Sequence, residues 1–329
     1  MKRKVEKQLK KTISGLLALS LLCSMLAACS GSGETSSASE SGAPASTAPV
    51  SSETPSDPSS EETSPEDAGA MSGAITVISR ESGSGTRGAF IELFGVEVKD
   101  DAGNKSDTTT PEAIEVNSTN AVLTGVAADK NAIGYVSLGS LGDTVKALDI
   151  DGAKASAENV ASGTYKVARP FNIATKGEAS GLAKDFIDFI LSAEGQAVVE
   201  ESGYIKVGEP APFAGSKPEG KLVIAGSSSV TPVMEKLKEA YLAINSAATI
   251  EIQQSDSTAG MQAALDGTCD IGMASRELKD TETAELSGIQ IALDGIAVVV
   301  NTENPLTALS SENVKGIYTG GITDWSDVK

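Results

Sequence analysis

The sequence predicts an α/β fold, and two observations carry the prediction. From residue 74 onward, short apolar runs alternate with stretches of helical periodicity. Ser/Thr-rich turns open helices at three places, beside one glycine-rich turn that carries an arginine. Repeated βα units with short helices build sheets covered on both faces. Open α/β sheets take ligands at the carboxyl ends of their strands, where these turns lie.

The elements follow in order. Residues 75–78 are an apolar run that reads as a buried strand. Arg80 comes next, then Gly83-Ser84-Gly85-Thr86, then Phe90, Ile91, Leu93 and Phe94 at helical spacing, stopped by Gly95. Residues 99–110 read as a polar loop, a helix starts near Ser118, and 132–136 is a strand. A β-rich portion at 145–150 leads to an extended one at 165–173. Leu182, Phe186, Phe189 and Ile190 mark a helix, and a second helix lies near 195–201. The stretch 208–220, with three prolines and three glycines, reads as a linker.

A second unit then runs through strand 222–224, the turn Gly226-Ser227-Ser228-Ser229, and a helix with Pro232 as its first residue. A third has strand 249–252, the turn Ser255-Asp256-Ser257-Thr258, and a helix over 259–265 closed by Gly267. A short strand at 270–273, a long apolar strand at 291–301 and a helix near 313–318 follow.

The turn at 83–86 gathers the chemistry. Several backbone N–H groups around one point, with the positive end of a helix dipole, make an anion site. Ser84 and Thr86 add hydroxyl donors, and Arg80 adds a bidentate charged fork. The stretch lacks the GK[ST] ending of a nucleotide P-loop and the third glycine of the dinucleotide fingerprint. One such turn is as readily a capped helix start; the recurrence of hydroxyl-led helix starts favours anion binding.

Residues 1–28 read as a secretory signal. Lys2, Arg3, Lys4, Lys7, Lys10 and Lys11 form a basic region, 13–26 is mostly apolar, and the run ends Leu-Ala-Ala-Cys. This resembles a bacterial lipoprotein signal with Cys29 as the lipidated residue, which implies an extracytoplasmic protein lipid-anchored to the cell membrane. The apolar run is too short to span a bilayer. Residues 29–73 are Ser/Thr/Glu/Pro-rich without an aromatic residue, the composition of a disordered tether. Without residues 1–28 the chain holds 20 basic and 44 acidic residues, a net of −24, which disfavours nucleic acid and anionic lipid as partners. Histidine is absent, so the commonest general base and metal ligand are missing, and no metal or cofactor is expected. Cys23 falls in the signal, which leaves Cys269 without a partner for an intramolecular disulfide.

The blocks ISRESGSGTRGAF, NAIGYVSLGSL, ILSAEGQAVVEESGYI, AGSSSVTPVMEKLKEAY, DIGMASREL, IALDGIAVVVN and IYTGGITDWSDV resemble the phosphate-binding protein of the bacterial phosphate ABC importer. The resemblance covers 74–329 and implies a two-lobe type II periplasmic-binding-protein fold, with crossover strands and a ligand cleft between the lobes. It implies phosphate contacts at Arg80, Ser84, Gly85, Thr86, Ser229, Val230, Ser257 and Ser275. Ser275 stands where the family often has an aspartate that accepts the ligand's proton, and Ser82 where it has an acidic partner of the arginine, with Glu81 one residue earlier. The order of blocks is rotated relative to the family, which resembles a circular permutation. One copy cut from a tandem array would give the same order; the signal at the front argues against it. The implied lobes are 74–168 plus 292–329, and 169–291, crossing near 167–171 and 291–295.

The resemblance implies a monomeric receptor that captures inorganic phosphate and delivers it to the permease subunits of an ABC importer. An enzyme built on the same cradle would need a nucleophile and base, and no such pairing stands near the turns. A surface sensor for phosphate or another tetrahedral oxyanion stays open, since fold does not fix function.

Overall fold

The computed structural model describes residues 71–329. The signal, Cys29 and the tether up to residue 70 lie outside the described residues. β1 (Thr76–Arg80) runs into α1 (Gly85–Leu93), which Ser84 caps and Gly95 ends with a φ of +65°. The expected polar loop at 99–110 holds a small hairpin instead, β2 (Glu97–Lys99) with β3 (Lys105–Asp107). Exposed Val98 is its one apolar strand residue and only Glu97 is half-buried, so no apolar alternation marks the strands.

Next come β4 (Ile114–Val116), α2 (Thr119–Ala128), β5 (Ala132–Ser137), β6 (Val145–Ala147) and β7 (Asp149–Ile150). α3 (Ala157–Ala161) has no counterpart in the sequence reading, being too short to show periodicity. After β8 (Ala168–Lys176), α4 (Gly181–Ile190) and α5 (Ala193–Glu201), residues 209–219 form a loop without regular structure. That loop is fastened rather than slack. Exposed Ser216 donates its N–H to the buried Asp185 Oδ1 at 2.6 Å, and Tyr241 donates its hydroxyl to Asp185 Oδ2 at 2.7 Å.

The remaining elements are β9 (Gly220–Ser227), α6 (Thr231–Ile244), β10 (Ala248–Ser255), α7 (Ser257–Asp266), β11 (Ile271–Ala274) and α8 (Asp280–Thr283). β12 (Leu286–Asn301), β13 (Ala308–Leu309) and α9 (Ser311–Tyr318) follow. β12 starts before the expected residue 291, because the more polar stretch from Leu286 pairs antiparallel with β8.

The main sheet runs β10-β9-β11-β8-β12-β5-β1-β4, with β6 also on β12. At one end β10, β9 and β11 are parallel; at the other β5, β1 and β4 are parallel. β12 joins them: its first part pairs with β8, and Ile296–Val300 pairs with β5. One apolar core gathers Phe90, Tyr135, Val298, Tyr318 and Trp325. A second holds Phe171, Phe186, Met234, Leu237 and Tyr241, and a smaller third holds Met261, Cys269 and Ala274. The cores change over along two strands: Ala168 and Leu293 pack against the first, Phe171 and Ala292 within the second.

Arg169 and Asp294 stand opposite each other at this changeover and form a fully buried ion pair at 3.2 Å. Burial pushes the Asp294 carboxyl up to about 6 against the pull of Arg169, and it lowers the Arg169 guanidinium. Elsewhere, residues 73–75 lie beside 323–325. Ile75 donates its N–H to the Thr323 carbonyl at 2.8 Å, and Trp325 donates its own to the Gly73 carbonyl at 3.0 Å.

Candidate functional site

The site forms where four helix N-termini converge. Apolar β1 carries Arg80 at its carboxyl end, and α1 begins five residues later. Ser118 caps α2, Asp256 caps α7, and Thr231-Pro232 opens α6 after the serine turn. Each of these helices directs unpaired N–H groups and a partial positive charge toward its start.

Arg80 is 2% exposed and reaches across the gap. Its Nη2 donates to Ser228 Oγ at 3.0 Å, and its Nη1 donates to Thr119 Oγ1 at 3.5 Å. Glu81 takes the other side of the fork, accepting from Nε at 2.8 Å and from Nη2 at 2.7 Å. Glu81 thus serves as the arginine's acidic partner, one residue before the position the resemblance assigns. Behind the arginine, Tyr135 Oη accepts the Arg80 N–H at 3.0 Å and shares a hydrogen bond with Ser79 Oγ at 2.9 Å. The Tyr135 ring stacks on Phe90 at 3.9 Å. Burial pushes the Tyr135 phenol up, so the group stays neutral and can donate as well as accept.

The facing wall is built of hydroxyls. Thr86 Oγ1 and Ser229 Oγ share a hydrogen bond at 2.8 Å, and Thr119 Oγ1 lies 3.2 Å from Ser229 Oγ. Ser227 Oγ donates to Ser275 Oγ at 3.0 Å, and Ser275 N–H donates to Ser257 Oγ at 3.1 Å. All these side chains are buried. A hydroxyl both donates and accepts, so each can turn its proton toward an anion without moving its oxygen.

The walls meet closely at two glycines. A Cβ on Gly85 would lie 2.4 Å from Ser257 Oγ and 2.9 Å from Ser275 Oγ, and one on Gly83 would lie 2.4 Å from Asp256 Oδ1. Thr258 donates both its N–H and its hydroxyl to the Gly83 carbonyl, at 3.2 and 3.1 Å.

Of the residues named from the sequence, Arg80, Gly85, Thr86, Ser229, Ser257 and Ser275 come together here. Ser84 is buried, but its Oγ accepts from the Arg87 N–H at 3.3 Å, so that oxygen caps α1. The Val230 N–H donates to the Ser227 carbonyl at 3.1 Å and closes the serine turn. Thr119, Ser227 and Ser228 belong to the cluster and were not among the named contacts. The available signal was the hydroxyl-led start of α2 at Ser118-Thr119, which repeats the pattern of the other turns. Arg87 braces the same turn from outside: its Nη1 donates to the Arg80 carbonyl at 2.6 Å, and its charge is paired with Asp107 at 2.8 Å and Glu115 at 2.7 Å. Among the described residues, no group of three or more His, Cys, Asp or Glu side chains could hold a metal ion.

The family description PBP superfamily domain matches residues 57–194 and 211–329. The chain is 54% identical over 265 residues to the phosphate-binding protein PstS 2 of Streptococcus agalactiae serotype V, covering 80% of this chain and 90% of that protein. It is 38% identical over 146 residues to the phosphate-binding protein PstS of Bacillus subtilis, covering 43% of this chain and 45% of that one. The crystal structure of a phosphate ABC transporter, phosphate-binding protein from Streptococcus pneumoniae TIGR4, is 47% identical. It matches 78% of this chain and 100% of its own, with a TM-score of 0.63. The chain therefore belongs to the PBP superfamily, as a PstS-like member.

Proposed function

We propose that this protein captures inorganic phosphate outside the cytoplasm and delivers it to the permease subunits of an ABC importer. The observation that carries the reading is the cradle itself: one buried arginine, a ring of hydroxyls and four helix N-termini around one point. Such a set binds an oxyanion through fixed dipoles and charge-assisted hydrogen bonds, against the unfavourable field of an acidic chain that salt screens. The bound anion would be held by Arg80, Gly85, Thr86, Ser229, Ser257 and Ser275; Ser84 and Val230 shape the two turns, their N–H groups donating to the Glu81 and Ser227 carbonyls at 3.0 and 3.1 Å. It is a binding protein rather than an enzyme, in keeping with relatives named for phosphate binding.

The two lobes of this reading are 74–168 plus 292–329, and 169–291, hinged on β8 and β12. The changeover of cores along those strands supports that division. A rotated block order, shared with the streptococcal relative, is supported by its near full-length match beside the half-length match to the Bacillus protein. The contact between 73–75 and 323–325 supports it too, because those segments would be continuous in the unrotated order. Cys29 as a lipid anchor belongs to the same reading, and mass spectrometry of the membrane fraction tests it.

A second reading, a receptor for another tetrahedral oxyanion, is favoured by the hydroxyl at Ser275. Of the two carboxylates beside the cradle, Glu81 is forked onto Arg80 and Asp256 caps α7. A hydroxyl repels a fully ionised anion less than a carboxylate does. Calorimetry on the purified protein with phosphate, sulfate, arsenate and molybdate decides. Tight binding of phosphate over sulfate is expected, and preference for sulfate or molybdate would replace the first reading by the second.

A further inference from the structure

At the crossover of β8 and β12, Arg169 makes more contacts than an ion pair needs. Its Nε and Nη2 donate to Asp294 Oδ2 at 3.3 and 3.2 Å. Its Nη1 turns the other way and donates to the main-chain carbonyl of Ser275 at 3.2 Å. Asp294 Oδ1 in turn accepts from Ser137 Oγ at 2.9 Å, at the end of β5. One buried network therefore runs from the first core, across both crossover strands, to the backbone of a cradle residue.

The peptide around Ser275 is pinned on several sides. Its carbonyl is held by Arg169, and its N–H donates to Ser257 Oγ at 3.1 Å. The following carbonyl, of Arg276, accepts from Asn172 Nδ2 at 2.9 Å, again from β8. With main chain fixed on both sides, the Ser275 hydroxyl has few directions left, and it meets Ser227 Oγ at 3.0 Å in the cradle.

We propose that Arg169 is a positioning residue for anion binding: it fixes Ser275 through the main-chain carbonyl, with Asp294 and Ser137 as its anchor in the other half of the sheet. The inference rests on the reading that Ser275 contacts the bound anion. A fork is required for the role. A lysine at 169 could pair with Asp294 as a point charge but could not also hold the carbonyl on the opposite side.

A double-mutant cycle on the full-length protein tests it, with phosphate affinity measured by calorimetry and thermal unfolding as the check on folding. Arg169→Lys is expected to weaken phosphate binding about three- to ten-fold, and less than about two-fold when Ser275→Ala is already present. In a Ser229→Ala background the full loss is expected to persist. A merely structural arginine would lower the unfolding temperature and weaken binding equally in all three backgrounds, which overturns the proposal. No loss on Arg169→Lys overturns it as well. Ser275→Ala with unchanged affinity removes the contact itself and overturns the site assignment together with this inference. The paired change Arg169→Gln with Asp294→Asn serves the same cycle where Arg169→Lys does not fold, since it leaves no lone buried charge.

Discussion

The two walls of the cradle solve the same problem with different chemistry. The β1–α1 wall concentrates charge: one guanidinium, forked by Glu81 and backed by Tyr135. Among the described residues, the facing wall contributes no cation hydrogen-bonded to its hydroxyls, since Arg169 meets Ser275 only at the main-chain carbonyl, and the wall relies on Ser227, Ser228, Ser229, Ser257 and Ser275. The difference teaches where affinity and fit reside. A charge-assisted hydrogen bond contributes about 1.5–3 kcal/mol, whereas a neutral one contributes about 1 kcal/mol and depends on exact direction. The charged wall should dominate strength, and the hydroxyl wall should set shape and selectivity.

The largest expected effect is on the charged wall. Arg80→Ala should weaken phosphate binding ten-fold or more, on the scale of about 1.4 kcal/mol per decade. It also leaves Glu81 unpaired beside the anion, which adds repulsion. Calorimetry measures this, and unchanged affinity would move the binding site away from the cleft altogether.

Gly85→Ala tests whether the walls must meet. The added Cβ would lie 2.4 Å from Ser257 Oγ, so one wall has to retreat. A loss of about ten-fold in phosphate affinity is expected from a displacement of this kind. A variant that binds as well as the parent would mean that the close approach is dispensable.

Ser257→Ala should cost less, about one neutral hydrogen bond or slightly more, since the Ser275 N–H also loses its acceptor. If its loss equals that of Arg80→Ala in the same titration, the contrast between the walls is wrong.

The smallest expected effect concerns what lies behind the hydroxyl wall. Cys269 packs in the third core beside Met261 of α7, and burial pushes its thiol up to about 11. A raised pKa means the folded state holds the proton. The group's contribution to stability is thus full below about 8.5, the ordinary thiol value, and is lost as pH rises toward the folded one. Thiol reagents at pH 8 should therefore modify Cys269 slowly in the folded protein and fast after denaturation. Equal rates would show that this side opens readily.

Local sequence determined much of the fold. An apolar run followed by Gly-Ser-Gly-Thr fixes a strand, a tight turn and a capped helix start, because backbone sterics and unpaired N–H groups act over a few residues. For that reason β1–α1, the serine turn before α6 and the start of α7 were legible, and most of the cradle with them. The polar hairpin β2–β3 and the short α3 were not, since neither has enough apolar residues to show a period.

Which hydroxyls share one point was decided by tertiary structure. Thr119 joins Ser228 and Ser229 from more than a hundred positions away, through the order of strands in the sheet. The pairing of Arg169 with Asp294 is likewise set by the register of β8 on β12. Nothing in either neighbourhood marks these residues, because cross-strand register is fixed by the whole hydrophobic pattern and not by nearby side chains. The sequence by itself supplied the turns, the caps and the arginine; the long strand shared by both halves of the sheet brought them to one place.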